Sequence, residues 1–144
     1  MLGELNVGEL KQLIKKMKMN NIEIMPKDYI NNDIKDGKYI INLDNSNGPG
    51  THWVGFIKNN NIIYYFDSFG LIPPINILKI NNKIIYYNKY NIQDIAEKSC
   101  GYYVLFFLYF MNKYNNNYKK MLSLFVNNQT NNKIILNDFF ISIF

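Results

Sequence analysis

The sequence predicts one α+β domain spanning residues 1–144, with strands clustered in the middle of the chain and helices towards its ends. Three observations carry the prediction. Apolar residues recur at helical spacing near the N-terminus, β-branched and aromatic runs separated by turn formers occupy the middle, and a ten-residue run apolar on every side opens the C-terminal third. With 144 residues and 48% apolar side chains, the chain can bury one real core but not two.

From Val7 to Met19, Leu10, Leu13, Ile14 and Met17 stand at i, i+3, i+4 and i+7 with lysines between them, which predicts an amphipathic helix ended by Asn20 and Asn21. Ile22 to Ile34 has no clear period and is broken by Pro26 and by Asn31-Asn32, so it is expected to be irregular. Lys38 to Leu43 is β-branched and aromatic and reads as a strand that runs into the turn formers Asp44 to Gly50. Trp53 to Lys58 and Ile62 to Asp67 are short apolar runs joined by Asn59 to Asn61, residues that tolerate the left-handed backbone of a tight turn, so an antiparallel hairpin follows. Beyond Pro73-Pro74 a short helix is expected around Ile75 to Ile80, then another strand at Lys83 to Asn88, giving a sheet of at least four strands. Tyr102 to Met111 exceeds the typical strand of ~5–6 residues and predicts a buried helix. Tyr118 to Val126 reads as an amphipathic helix, and Asn137 as the cap of a last short helix through Phe144.

Composition narrows the function classes. The chain has 25 Asn, 16 Lys and no Arg, the vocabulary of AT-rich codons, and its short Asn clusters read as turns. A net charge of +5 does not repel nucleic acid, but without Arg there is no planar fork for bidentate phosphate or guanine recognition. Lys11, Lys15, Lys16 and Lys18 read as a solvated helix face. The longest apolar run has ten residues against the ~20 needed to cross a bilayer, so no membrane span is expected. The first residues lack a basic region followed by an apolar one, so the protein is expected to work inside a cell or particle. One cysteine cannot form an internal disulfide, and one His with one Cys supplies no tetrahedral metal set, so neither metal nor cofactor is expected. No Gly-rich loop follows a strand and opens a helix, which leaves nucleotide hydrolysis without support.

The single His and single Cys raise the sharper question. Taken alone, a lone His is more often a satisfied structural residue and a lone Cys an inert small hydrophobe. Placement changes that weighing. Cys100 stands where a helix should begin, and the exposed N–H groups there favour a thiolate and can donate to an oxyanion formed on an attacked carbonyl. His52 opens a predicted strand, and a neutral imidazole there can take the thiol proton and return it to a leaving amine. The hairpin brings His52 and Asp67 to the same end of adjacent strands, where the acid can orient the imidazole and stabilise its protonated form. Gln93, seven residues before Cys100, can aim its amide at the same oxyanion. Taken alone, Gln93 reads equally well as a solvated loop residue and Asp67 as a turn former.

Gly50-Thr51-His52-Trp53, Phe66-Asp67-Ser68-Phe69-Gly70, Gln93 and Ser99-Cys100-Gly101 occur in that order, with His first and Cys last. This order resembles the adenovirus protease family, the adenain-like cysteine proteases, and differs from papain-like enzymes, which run Cys before His. The resemblance implies that His52, Asp67 and Cys100 form the triad and Gln93 the oxyanion donor. It also implies that Trp53 lines the cleft beside the base, with Gly50 and Thr51 as further substrate-binding positions. The implied fold is that of SUMO-deconjugating enzymes, a central mixed sheet between helices. The implied activity is cleavage of viral capsid or core precursors at small, Gly-containing motifs, in the virion and the host-cell virus factory. DNA or a non-covalent peptide is implied as an activator, since with Cys100 as the only cysteine the family's disulfide-tethered activation cannot operate. With the AT-rich vocabulary, so compact a protease implies a virus of a protist, such as a virophage. Two other readings stand beside this one: a protease that removes ubiquitin-like modifiers, and an inactive virion protein that binds DNA through its lysines.

Overall fold

The computed structural model describes residues 2–44, 52–81 and 83–144. Helix α1 (Val7–Lys16) opens with a reciprocal cap: the Asn6 side chain accepts from the Glu9 N–H at 2.8 Å, and the Glu9 carboxylate accepts from the Asn6 N–H at 3.1 Å. Leu10 and Met17 face the core while Lys11, Lys15, Lys16 and Lys18 face solvent. The helix stops at Lys16, three residues short of the periodic pattern, because Lys18 turns left-handed at φ 58°.

The segment expected to be irregular holds strand β1 (Ile22–Pro26) and a 3₁₀ turn (Lys27–Tyr29). Periodicity missed the strand because Ile22, Ile24, Met25 and Pro26 are all half-buried, so no alternation marks it. β1 runs parallel to β2 (Gly37–Asn42), from Ile22 opposite Lys38 to Pro26 opposite Asn42. It is an edge strand, where a proline that lacks an N–H is tolerated.

Strands β3 (Trp53–Asn59) and β4 (Ile62–Phe66) form the expected hairpin. Asn59 pairs with Ile62, so the turn has two residues, and Asn60 takes the left-handed conformation at φ 56°. The short helix α2 (Ile75–Leu78) lies on the crossover to β5 (Ile84–Tyr87), which pairs parallel with β4. The sheet order is β1-β2-β3-β4-β5, antiparallel at its centre and parallel at both outer pairs, a mixed five-stranded sheet.

Helices α3 (Cys100–Lys113), α4 (Tyr118–Leu122) and α5 (Gln129–Ile143) complete the chain. α4 ends four residues before Val126 because Asn132 grips that turn: its Oδ1 accepts from the Val126 N–H at 2.8 Å and its Nδ2 donates to the Val126 carbonyl at 2.7 Å. The last helix is longer than expected. Its cap is Asn128, which accepts from the Asn131 N–H at 3.0 Å, and Asn137 lies inside it.

Side chains alternate across the sheet. Tyr39, Ile41, Val54, Phe56, Ile63 and Tyr65 pack with Ile77 and Ile80 on one face, and Ile40, Ile57 and Phe66 pack against α1, α3, α4 and α5 on the other. Gly55 decides how close α3 comes, since a Cβ there would stand 2.7 Å from Val104 Cγ1. With the helix lying directly on β3, its first residue, Cys100, reaches the start of that strand beside His52.

Candidate active site

His52 precedes β3 and Asp67 follows β4, so the common end of the hairpin carries both. The side chains meet, with His52 Nε2 2.7 Å from Asp67 Oδ1. The ladder extends far enough to hold His52, because the Leu43 N–H donates to the His52 carbonyl at 3.0 Å.

Asp67 is fully buried, and four backbone or side-chain bonds fix it besides the His52 contact. Asn88, one residue past β5, accepts from the Asp67 N–H at 3.1 Å and donates through Nδ2 to its carbonyl at 2.5 Å. The Phe69 N–H donates to Asp67 Oδ1 at 2.8 Å, sharing the oxygen that meets His52. Gly70 then closes the turn onto the Asp67 carbonyl at 2.8 Å with φ +71°, and a Cβ there would run into the Tyr90 carbonyl.

The imidazole lies under the ring of Phe69, with centroids 4.3 Å apart and planes inclined by 10°. Burial disfavours the charged ring, but the hydrogen bond and charge of Asp67 together with the neighbouring Cys100 sulfur outweigh it. The imidazole is pushed up from 6.5 to about 9. At neutral pH the ring therefore donates from Nε2 to Asp67. Its Nδ1, buried and without a hydrogen-bond partner among the described residues, is the nitrogen left to serve Cys100.

Cys100 is buried at the first position of α3, and its Sγ accepts from the Trp53 N–H at 3.4 Å. Ser99 occupies the cap position but does not cap: its hydroxyl donates to Glu97 Oε2 at 3.1 Å. Among the described residues the first N–H groups of α3 are thus left without a side-chain acceptor. The segment before α1 closes over this end. Leu5 accepts from Trp53 Nε1 at 2.8 Å and fills the space beside Gly101, where a Cβ would meet its Cδ1 at 3.1 Å.

A cleft of about 340 Å³ opens at this point, lined by Glu4, His52, Trp53, Phe69, Ile95, Glu97, Lys98 and Cys100. The structure therefore unites His52, Asp67 and Cys100, and the largely buried Trp53 lines the same cleft. Gln93 is fully buried and does not line the cleft. Its Oε1 accepts from the Ser68 hydroxyl at 2.5 Å, and its Nε2 donates to the Glu97 carbonyl at 2.9 Å. Gly50 and Thr51 lie outside the described residues. Sequence reasoning gave no role to Ser68, Phe69 or Asn88. The first two were within reach, since they stand next to Asp67 in a quoted motif, whereas Asn88 carries no signal that separates it from the other asparagines. Among the described residues no group of three or more His, Cys, Asp or Glu could hold a metal ion, and no helix is long and apolar enough to cross a membrane.

The same assembly of sheet and helices occurs in the crystal structure of ASFV pS273R protease. That structure matches 93% of this chain and 66% of its own, with a TM-score of 0.54 and 18% identity. The fold is a SUMO-protease-like cysteine protease fold. The selenomethionine form of the same protease gives a TM-score of 0.50 and 19% identity, over 93% of this chain and 67% of that one. The chain thus spans about two thirds of the length of the protease it resembles. Compared by sequence, it matches no family model and no curated protein.

Proposed function

We propose that the chain is a viral cysteine endopeptidase, adenain-like, that cuts capsid or core precursor proteins at small, Gly-containing motifs. One observation carries the reading: His52, Asp67 and Cys100, from three separated segments, meet at the uncapped N-terminus of α3 in a fold shared with a viral protease. In this reading His52, protonated at neutral pH, already holds the Cys100 proton on Nδ1, and the Sγ thiolate attacks the substrate carbonyl carbon to form a C–S bond and a tetrahedral oxyanion. The free N–H groups opening α3 donate to that oxyanion, and the second amide hydrogen of Gln93, the one not given to Glu97, is assigned as a further donor once substrate binding opens its buried position to the cleft. Collapse expels the amine, which takes its proton from His52, and water then hydrolyses the thioester through the same base. Asp67 holds the ring in one orientation and stabilises the imidazolium between the two transfers.

Trp53, with Gly50 and Thr51 before it, is assigned to substrate binding, and the chemistry calls for no metal or other cofactor. The work is assigned to the virion and the virus factory in the cytoplasm or nucleus, with DNA or a free peptide as activator and a virophage or related element as source. The test is processing of a co-expressed viral capsid precursor. Cleavage by the wild type and none by Cys100→Ala at equal folding is expected, and unchanged processing by Cys100→Ala would refute the proposal. The SUMO-protease-like fold favours one second reading, removal of a ubiquitin-like modifier. Cleavage of a Gly-Gly-linked modifier together with inert precursors would establish that reading instead.

A further inference from the structure

Two fully buried polar side chains face each other across the join between the two halves of the site. Ser68 follows Asp67, and Gln93 lies in the loop that leads to Cys100. Two hydrogen bonds tie them and a third ties Ser68 to the neighbouring Ile92: the Ser68 carbonyl accepts from the N–H groups of Ile92 and Gln93, both at 2.9 Å, and the Ser68 hydroxyl meets Gln93 Oε1 at 2.5 Å. The other end of the carboxamide lies 2.9 Å from the Glu97 carbonyl, which can only accept. That carbonyl requires Nε2 on its side and Oε1 on the serine side, so the Ser68 hydroxyl must be the donor. In the opposite orientation two carbonyl oxygens would be forced together in a site without water access.

We infer that Ser68 is a positioning residue that holds the Gln93 carboxamide with its nitrogen turned towards the segment entering Cys100. The inference rests on the reading of Gln93 as an oxyanion donor, and it deepens that reading by naming what orients the donor. Without the hydroxyl, the buried Oε1 loses its donor at a cost in free energy that turning or withdrawing the amide relieves.

Two reactions of the same thiol separate this role from a merely structural one. Alkylation of Cys100 by iodoacetamide forms no oxyanion, whereas hydrolysis of the p-nitrophenyl ester of N-acetylglycine does. Removing an oxyanion donor costs about 10²–10³ in turnover, so Ser68→Ala is expected to slow ester hydrolysis by about 10- to 100-fold while alkylation stays within about twofold. Ser68→Thr, which keeps the hydroxyl, is expected to hydrolyse within about threefold of wild type. In the Gln93→Ala background, Ser68→Ala is expected to add nothing. Four results would overturn the inference: wild-type hydrolysis by Ser68→Ala, equal losses of alkylation and hydrolysis in that variant, a Ser68→Thr loss as large as the alanine's, or multiplying losses in the double variant. Wild-type hydrolysis by Gln93→Ala would instead overturn the oxyanion role of Gln93, and this inference with it.

Discussion

Replacing Asp67 by Asn keeps the shape of the residue beneath His52 and removes its charge, which makes pH-dependent stability a direct test of the buried pair. In the folded protein the imidazole titrates at about 9 against 6.5 for a free ring. A base whose pKa rises on folding binds more protons folded than unfolded, so its contribution is complete below pH 6.5 and is lost as pH climbs through 9. At about 1.4 kcal/mol for each pH unit, the full contribution is about 3 kcal/mol, of which about 2 remains at pH 7.5 and under about 0.5 at pH 9. The His52 side chain is only 12% exposed, so solvent screening removes little of this. With the carboxylate gone, burial, the largest influence on the ring, is opposed only by the Cys100 sulfur, so Asp67→Asn has little of this contribution to lose. The stability difference between wild type and variant should therefore shrink by about 3 kcal/mol between pH 6 and pH 9. Urea unfolding at several pH values, followed by the fluorescence of Trp53, the sole and buried tryptophan, reads this directly. Tyr65, Tyr103 and Tyr118, whose pKa values burial raises, titrate above this window and cancel in the difference. A difference that stays flat or grows with pH would refute the charged pair.

His52→Ala should slow iodoacetamide labelling of Cys100 at pH 7 by tenfold or more, on the order expected for loss of a general base; mass spectrometry of quenched samples measures it. Gly55→Ala should destabilise by about 1–3 kcal/mol, because the added methyl meets Val104 Cγ1 at 2.7 Å between β3 and α3, and thermal unfolding reports the loss. Asn88→Ala should cost about 1–3 kcal/mol, since it strands the buried Asp67 N–H and leaves the Asp67 carbonyl with only the Gly70 N–H, and it should slow labelling as well. Gly70→Ala should lower the midpoint of urea unfolding, as it combines a left-handed φ of +71° with a clash against the Tyr90 carbonyl.

The parts of the fold legible in the sequence were those where one face differs from the other. α1 shows its apolar stripe, the β3–β4 hairpin is punctuated by Asn59 to Asn61, and α3 is too long and too apolar for a strand. β1 was hidden because four of its five residues are half-buried, and its existence depends on pairing with β2, a partner eleven or more residues away. The start of α5 was hidden for a different reason. Asn128 and Asn137 are equally good caps by type, and only the tertiary grip of Asn132 on Val126 decides where the helix begins.

The site was legible to the degree that its residue types are scarce. One His and one Cys leave a single way to build a thiol–imidazole pair, and the hairpin then selects Asp67 as the acid within reach. The same logic fails for the residues that hold the pair. Asn88 is one asparagine of 25, and its two bonds to the Asp67 backbone follow from where β5 ends, which depends on the parallel crossover. Residues 67–70 show why this matters for function. Asp67 holds the His52 ring, Ser68 holds Gln93 in the loop before Cys100, Phe69 stacks on the imidazole, and Gly70 permits the turn that lets all three act from consecutive positions. A perturbation at that turn therefore reaches both His52 and the loop before Cys100, although none of its four residues carries the sulfur.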